Sequence, residues 1–371
     1  MKVLILTNHK DDHARVVAEA LKKKNVTPIK WVPEEFLLNQ KNSLYINSNG
    51  VVLAKINTET SIVNYHEIEV VWFRRPAYPL IPKNIPKQDK SFILDESRMN
   101  IKSMWFTLEK TATWINPLAS NQRANIKVCQ LQEATRSGMT IPETLVTNDR
   151  NEIIDFIIKN RKTGTIYKTF LPGCWEEDNK KFNCQTTAIT VDMIPPQSLM
   201  KLTPGIYQKR IPKEFEVRAT FFGDHYIAVK IYNTEELDWR LSSLSSNFTI
   251  SPIKLPSLVE KQCLQLMQQL GIVFGCFDFI VTSSEEYVFL EVNEMGQFLW
   301  IEEMLPQLKI LETFCDFLIS APKCNINPNT TIGALSLEDI SNSKSYIEVF
   351  RKDMMQQDKI NLSIIDSMTE P

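Results

Sequence analysis

The chain is 371 residues long, with 42 Lys and Arg against 44 Asp and Glu, a formal net charge of -2. That balance lacks the basic bias of a dedicated nucleic-acid binder, and the length exceeds one compact core, which predicts two or three lobes sharing a ligand cleft. Seven scattered cysteines (129, 174, 184, 263, 276, 315 and 324) form no Cys-x-x-Cys pair, and the four histidines (9, 13, 66 and 225) form no zinc-hydrolase pattern, which argues against a disulfide framework or a zinc site.

Met1–Asn8 carries one positive charge and an apolar run too short for a signal sequence, and no later apolar stretch is long enough to span a bilayer. The expectation is a soluble cytoplasmic protein without a membrane or nucleic-acid partner. Lys2–Leu6, Thr7–Asp12 and Ala14–Leu21 read as strand, loop and helix, the opening of a parallel α/β layer. Val70–Phe73 reads as a second buried strand ending in Arg74-Arg75-Pro76, Tyr78–Pro86 as a Pro-rich loop, and Asp89–Thr111 as a charged amphipathic helix.

Asn116-Pro117 marks a boundary, because proline disfavours a helical residue before it, and a helix restarts over Ala124–Ser137. A small α/β lobe follows, with a strand over Glu143–Val146, a helix over Asn151–Asn160, Thr165–Lys168, and polar loops around Trp175–Lys181. Phe215–Phe222 and Tyr226–Tyr232 form a hairpin about Gly223-Asp224; a second hairpin joins Phe277–Val281 to Val288–Val292. Past Ala321 the composition turns polar and Asn-rich, with a helical pattern at Tyr346–Met355, and the tail is expected to be an appendage. The domains expected are therefore 1–116, 117–207, 208–321 and an extension over 322–371.

Asp278 lies on one strand of the second hairpin, and Glu291 and Asn293 on its partner. Residues two apart share a strand face, so three hard oxygen ligands can converge, which suits a magnesium ion that keeps waters and substrate phosphates. A solvated hairpin face would explain the same residues. The buried-strand context Phe289-Leu290-Glu291-Val292-Asn293 favours the metal, since an unpaired carboxylate there would cost several kcal/mol. Lys127 and Lys168 can neutralise phosphate oxygens or be ordinary surface lysines. Tyr207–Pro212 is a linker whose backbone can meet a base edge. Glu216 with Arg218, and Asp238 with Arg240, each share a strand face and can be cross-strand ion pairs. No Gly-x-x-x-x-Gly-Lys-Ser/Thr loop or Gly-x-Gly-x-x-Gly fingerprint occurs among the ten glycines, which excludes a P-loop ATPase or a Rossmann dehydrogenase.

In order, Asn125-x-Lys127, Tyr167-Lys168, Gln208-x-x-Ile211, Glu216-Val217-Arg218, Asp238-Trp239-Arg240, Asp278 and Glu291-Val292-Asn293 resemble the ATP-grasp superfamily over Met1–Ala321. Trp72–Pro76, the first hairpin and Gly296–Glu302 resemble the microviridin-type graspetide synthetases, which close rings in ribosomal precursor peptides. The resemblance implies an α/β (α+β) ATP-grasp fold, a leading α/β domain with two lobes clasping ATP. It implies that Lys127 and Lys168 hold the ATP phosphates, that Lys209 and Ile211 offer backbone groups to adenine with Gln208 also binding ATP, and that Glu216 binds ribose. Asp278, Glu291 and Asn293 would hold Mg2+, and Arg218 and Arg240 would stabilise the phosphoryl group and the acyl phosphate. It also implies a homodimer.

The activity implied is ATP-dependent joining of Asp or Glu side chains to Thr or Ser hydroxyls as esters, with Lys amides as the other product. Arg74 and Arg75, at a strand end, are candidates for binding the acidic peptide, with salt bridges to the neighbouring helix as the other reading. The loop after Lys168 carries only Gly173 where the superfamily has a glycine-rich flap. The rivals are a ligase joining an amino acid or small amine to a free carboxylate, and a catalytically silent leader-peptide binder.

Overall fold

The computed structural model describes residues 1–57, 62–171, 174–177, 180–183, 186–232, 248–323 and 335–364. Lys2–Leu6 forms β1, Asp12–Lys23 α1 and Thr27–Trp31 β2; a short helix α2 (Phe36–Asn39) leads to β3 (Lys41–Ile46), β4 (Val52–Asn57) and β5 (Ile62–Asn64). Val70–Phe73 is β6, Lys90–Glu109 the long helix α3 and Thr113–Ile115 β7. Four of these strands make a parallel sheet in the order β2-β1-β6-β7, while β3-β4-β5 form a separate antiparallel sheet.

The unbroken apolar runs of β1 and β6 follow from burial on both faces, as in other parallel sheets. Val3, Ile5, Val70 and Trp72 pack with Val16, Val17, Ala20 and Leu21 of α1; Leu4, Leu6 and Val71 pack with Ile101, Met104, Trp105 and Leu108 of α3.

The helix expected over 124–137 starts later, as α5 (Lys127–Arg136), and a separate helix, α4 (Leu118–Ala124), precedes it. Ile126 is extended at the break, and the Gln130 side-chain amide donates to the Ala124 carbonyl at 2.5 Å, replacing a bond that a continuous helix would make. Lys127 thereby becomes the first residue of α5.

The central lobe comprises β8 (Thr144–Thr147), α6 (Arg150–Lys159), β9 (Thr165–Lys168), β10 (Cys174–Glu177), β11 (Lys180–Asn183), β12 (Thr187–Ile189), α7 (Gln197–Met200) and β13 (Gly205–Lys209). Its sheet runs β12-β9-β13-β8, all antiparallel, over a small core of Ile153, Phe156, Ile157, Ile194 and Tyr207. The stretch expected as polar loops around Trp175–Lys181 instead pairs as the β10–β11 hairpin.

The third lobe holds β14 (Phe215–Phe222), β15 (His225–Tyr232), β16 (Thr249–Pro252), α8 (Ser257–Leu270), β17 (Phe274–Val281) and β18 (Tyr287–Asn293), followed by α9 (Leu299–Met304) and α10 (Ile310–Ser320). Five strands form an antiparallel sheet in the order β16-β15-β14-β17-β18. One face carries Val217, Ala219, Phe221, Phe277 and Phe279 against α5 and α8. The opposite face carries Phe222, Phe274 and Cys276 against Phe314 and Phe317 of α10 and the first domain.

The tail departs from the expected appendage. Leu335 joins the core, as do Leu337 and Ile340 of α11 (Leu337–Ser341), and α12 (Lys344–Ser363) lies on α1. Its polar composition conceals buried ion pairs: Asp353 sits among Arg15, Lys30 and His9. Among the described residues no helix is long and apolar enough to cross a membrane.

Candidate active site

Alternation along β14 sends the odd-numbered residues towards α8 and leaves Glu216 and Arg218 on the opposite face; the same phase puts Asp278 of β17 on that face. In β18, Phe289 packs into the α8 side, and a regular strand would carry Glu291 there with it. A bulge prevents this. Asp278 pairs with Glu291 while the next residue, Phe279, pairs with Phe289, so Leu290 is extra. The inserted residue reverses the phase. Phe289 and Val292 therefore both reach the core, while Glu291 and Asn293 turn to the face of Asp278 and Arg218.

The side chains meet there in one row across three strands. Arg218 Nη1 donates to both Asp278 oxygens, at 2.8 and 2.7 Å, and Nη2 donates to the Gln297 carbonyl at 3.1 Å. Asn293 Nδ2 donates to Asp278 Oδ2 at 3.0 Å and to Glu291 Oε1 at 3.4 Å, and Lys127 Nζ donates to Glu291 Oε2 at 2.5 Å. Five residues expected to carry the chemistry, Lys127, Arg218, Asp278, Glu291 and Asn293, are thus joined in one chain of hydrogen bonds.

The donor set fits magnesium. Among the described residues no group of three or more His, Cys, Asp or Glu forms a cage, yet Mg2+ asks only for one or two carboxylates plus waters and substrate phosphates. Two carboxylates and an amide converge here. The Asn293 amide presents its nitrogen to the two anions; turning it over would present the oxygen to a cation between them.

The remaining candidates occupy the neighbouring elements. Glu216 Oε1 accepts from Lys213 Nζ at 2.7 Å. Lys168 ends β9, opposite Ile206 of β13, and Gln208 lies opposite Ile166. Gln208 Nε2 donates to Thr144 Oγ1 at 3.0 Å, while its buried Oε1 has no hydrogen-bond donor. The Lys209 amide is used internally, donating to the Glu143 carbonyl at 2.9 Å, and Ile211 lies in the connector between the lobes. Gly173, Asp238 and Arg240 lie outside the described residues.

The two candidate peptide-binding arginines separate. Arg74 is 1% exposed: its Nε is 3.0 Å from Asp11 Oδ2, and Nη1 donates to the Met295 and Gly296 carbonyls. Burial lowers its pKa to about 10, opposed by Asp11. Arg74 thus ties the first domain to the segment just after β18. Arg75 is exposed, and its backbone amide donates to Met295 Sδ at 3.4 Å, which places the residue beside the segment just after β18.

Several positioning residues escaped the sequence reading. Asn116 Oδ1 accepts from Val273 N and Phe274 N at 2.7 and 2.8 Å, while its Nδ2 donates to the Phe274 and Glu294 carbonyls at 2.8 and 3.2 Å. Gln130 acts as a further strand partner for β18, donating to the Val292 carbonyl and accepting from its amide, both at 2.9 Å. His13 Nε2 accepts from Phe298 N and Leu299 N at 3.0 and 3.1 Å, which caps α9. Burial, reinforced by Arg74, Arg75 and Arg218, lowers the His13 pKa well below its ordinary value, as an acceptor role requires. Burial also raises Glu294 to about 7. The boundary motif Asn116-Pro117 was the one available signal for this group.

Residues 2–122 match the family model described as the MvdD pre-ATP grasp domain. The macrocyclase MdnC from Microcystis aeruginosa MRC, bound with precursor peptide MdnA, superposes with a TM-score of 0.76 at 27% identity, covering 86% of this chain and 100% of that one. The chain is an ATP-grasp ligase by fold and is similar to the graspetide-type maturases. A Chryseobacterium gregarium RiPP-associated ATP-grasp ligase, in complex with ADP and a leader and core peptide, gives a TM-score of 0.76 at 25% identity, covering 86% of this chain and 96% of that one. Macrocyclase MdnB from Microcystis aeruginosa MRC gives 0.72 at 26% identity, covering 86% and 99%. No curated protein matches the chain in sequence. Within this ATP-grasp ligase, the family-model match ends in α4, just before the break that presents Lys127.

Proposed function

We propose that this ligase is an ATP-dependent macrocyclase of a ribosomal precursor peptide, acting with Mg2+ in the cytoplasm as a homodimer. The carrying observation is the row Arg218–Asp278–Glu291–Asn293 with Lys127 at its end, in a chain whose similar structures include enzymes bound to precursor peptides. A carboxylate is a poor electrophile because oxide would have to leave. Transfer of the ATP γ-phosphoryl group to an Asp or Glu side chain releases ADP and gives an acyl phosphate. A Thr or Ser hydroxyl then attacks the acyl carbon, an ester C–O bond forms, phosphate leaves with its bonding pair, and the hydroxyl proton passes to the departing phosphate or to water; a Lys amine would give the amide.

Arg218 stabilises charge on the transferred group, together with Arg240 in the reading from resemblance. Lys127 and Lys168 neutralise the ATP phosphates. Gln208, Lys209, Ile211 and Glu216 line the nucleoside side, and the donorless Gln208 Oε1 is the feature there that suits a ligand N–H. Magnesium, when held by Asp278, Glu291 and Asn293, offsets negative charge on the phosphates. No protein nucleophile is needed.

The test incubates a candidate precursor peptide with the protein, ATP and magnesium, beside an Asp278→Ala/Glu291→Ala variant. The intact protein is expected to remove about 18 mass units per ring, one water per activated carboxylate, and the variant none. An unchanged peptide mass, with ADP released on adding a free amino acid or amine, would instead establish the small-substrate ligase. Arg75→Ala is expected to weaken peptide binding several-fold; unchanged affinity would remove Arg75 from the peptide site.

A further inference from the structure

Residues 294–298 connect β18 to α9, and side chains of the first domain hold the backbone of this connection. Asn116 Nδ2 donates to the Glu294 carbonyl at 3.2 Å, and Arg74 Nη1 donates to the Met295 carbonyl and, at 3.3 Å, to the Gly296 carbonyl. On the far side of Gln297, His13 Nε2 accepts from Phe298 N at 3.0 Å and from Leu299 N at 3.1 Å. Its ring meets Phe298 edge-on, with 5.2 Å between centroids. The carbonyl between these two grips, that of Gln297, accepts from Arg218 Nη2 at 3.1 Å.

Arg218 depends on that carbonyl for its direction. Both Asp278 oxygens bond to one nitrogen, Nη1, at 2.8 and 2.7 Å, rather than to two nitrogens side by side. A single shared nitrogen is a pivot about which the planar guanidinium can swing, whereas a second fixed point sets its plane. The Gln297 carbonyl supplies the second point. Phe298 is packed among Phe222, Phe274 and Phe314, which locates a ring; the amides of residues 298 and 299 are located by His13.

His13 can accept only while Nε2 carries no proton. Desolvation, then the charges of Arg74, Arg75 and Arg218, keep it so by lowering its pKa. Asp11, two residues earlier, lies 3.0 Å from Arg74 Nε, so one short stretch at the start of α1 supports both grips.

We propose that His13 is a positioning residue for phosphoryl transfer: by holding the Phe298 and Leu299 amides it places the Gln297 carbonyl, and through it the Arg218 guanidinium. The inference rests on the reading of Arg218 as the group that stabilises the transferred phosphoryl. The test replaces His13 in the full chain. In His13→Gln the side-chain oxygen reaches the place of Nε2 and accepts from both amides, while His13→Asn, one methylene shorter, leaves them unpaired. The readouts are affinity for magnesium-ADP by calorimetry, kcat for ADP release with the precursor peptide of the mass test, and exchange protection of the Arg218 Nη protons by heteronuclear NMR, assigned by their loss in Arg218→Lys. His13→Asn is expected to keep the ADP affinity, to speed exchange at Arg218 and to lower kcat by about tenfold or more, within the ~10²-fold that a misplacement near 1 Å costs. His13→Gln should recover both protection and kcat. Wild-type kcat and protection in His13→Asn would overturn the proposal and leave Phe298 packing to fix the connection. Equal losses of kcat in both variants, with a lower melting temperature and Arg218 still protected, would overturn it too, since that is the mark of a merely structural role. A wild type that neither alters the peptide nor releases ADP would overturn the macrocyclase reading, whereas the NMR comparison needs no substrate and decides on His13 by itself.

Discussion

A Cβ at Gly296 would lie 2.4 Å from Cys276 Sγ, 2.6 Å from Cys276 Cβ and 3.0 Å from Arg218 Nη2. Cys276 is fully buried on the interior strand β17 and cannot retreat, so the Gly296 segment must shift, and with it the neighbouring Gln297 carbonyl that holds the Arg218 guanidinium. Arg218 holds both Asp278 oxygens, and a displacement near 1 Å at a reacting centre costs on the order of 10²-fold in rate. Gly296→Ala is therefore expected to lower kcat by about that factor, with an overpacking cost of about 1–3 kcal/mol visible in denaturant unfolding. Arg218→Lys keeps the charge but not the guanidinium that reaches both Asp278 and the Gln297 carbonyl. A kcat loss of about 10²–10³-fold is expected, the scale for removing a transition-state donor. Steady-state kinetics that showed only a raised KM for ATP would assign Arg218 to ground-state binding instead.

At the scale of elements, the site depends on how β18 is held. The strand is the edge of its sheet, and beyond the bulge its backbone bonds to the Gln130 side chain where a further strand would otherwise pair. Gln130→Ala leaves a buried N–H and a buried C=O of Val292 without that partner, each worth about 1–3 kcal/mol. The expected result is a lower melting temperature together with lost activity, because α5, which carries Lys127 to Glu291, docks through the same amide. A variant that keeps wild-type stability would show that α8 packing alone fixes α5.

These elements also show which parts of the molecule the sequence discloses. Local pattern reveals β1, β6, both hairpins and the spacing of Asp278, Glu291 and Asn293, because each rests on period-two alternation or a turn. The bulge at Leu290 is invisible locally: Phe289 and Glu291 have the spacing of one face, and only tertiary burial of Phe289 separates them. Asn116, Gln130 and His13 are likewise polar residues whose partners lie more than 150 residues away, apart from the short loop from Gln130 to Ala124. The break at Ile126 depends on that same glutamine, so local pattern alone starts the α5 helix too early, at Ala124. The buried face of α12, Asp353, Gln357 and Ile360, was missed because two of its three residues are polar.

Across the whole molecule, those ion pairs join the chain's two ends. His9 follows β1, Arg15 lies on α1, Lys30 on β2 and Glu35 before α2, and all four gather about Asp353 of α12 or its histidine partner. Burial alone would lower the His9 pKa, but hydrogen bonds to Asp353 at 3.1 Å and Glu35 at 2.8 Å outweigh it, even against Lys30, and the pKa is raised. Burial would raise Asp353 and Glu35; the bond from His9 is the largest of the interactions that bring both below their ordinary values.

A raised histidine contributes stability that is complete below its unfolded value of about 6.5 and disappears as pH climbs through the folded value. The two lowered carboxylates contribute stability that is complete above about 4.5 and is lost as pH falls through their folded values. His13, held neutral by burial, acts in the opposite sense to His9, and Glu34, raised by burial, opposes the other two carboxylates. A single profile therefore mixes these groups, whereas the difference between the wild type and His9→Gln isolates the His9 pairing with Asp353 and Glu35. Melting temperatures measured from pH 4 to 9 should show that difference widest between about 4.5 and 6.5, shrinking on the alkaline side as the wild type loses its imidazolium. A gap that instead widened above pH 7 would mean that His9 is neutral between its carboxylates, with Lys30 and Arg15 alone fastening α12 to the first domain.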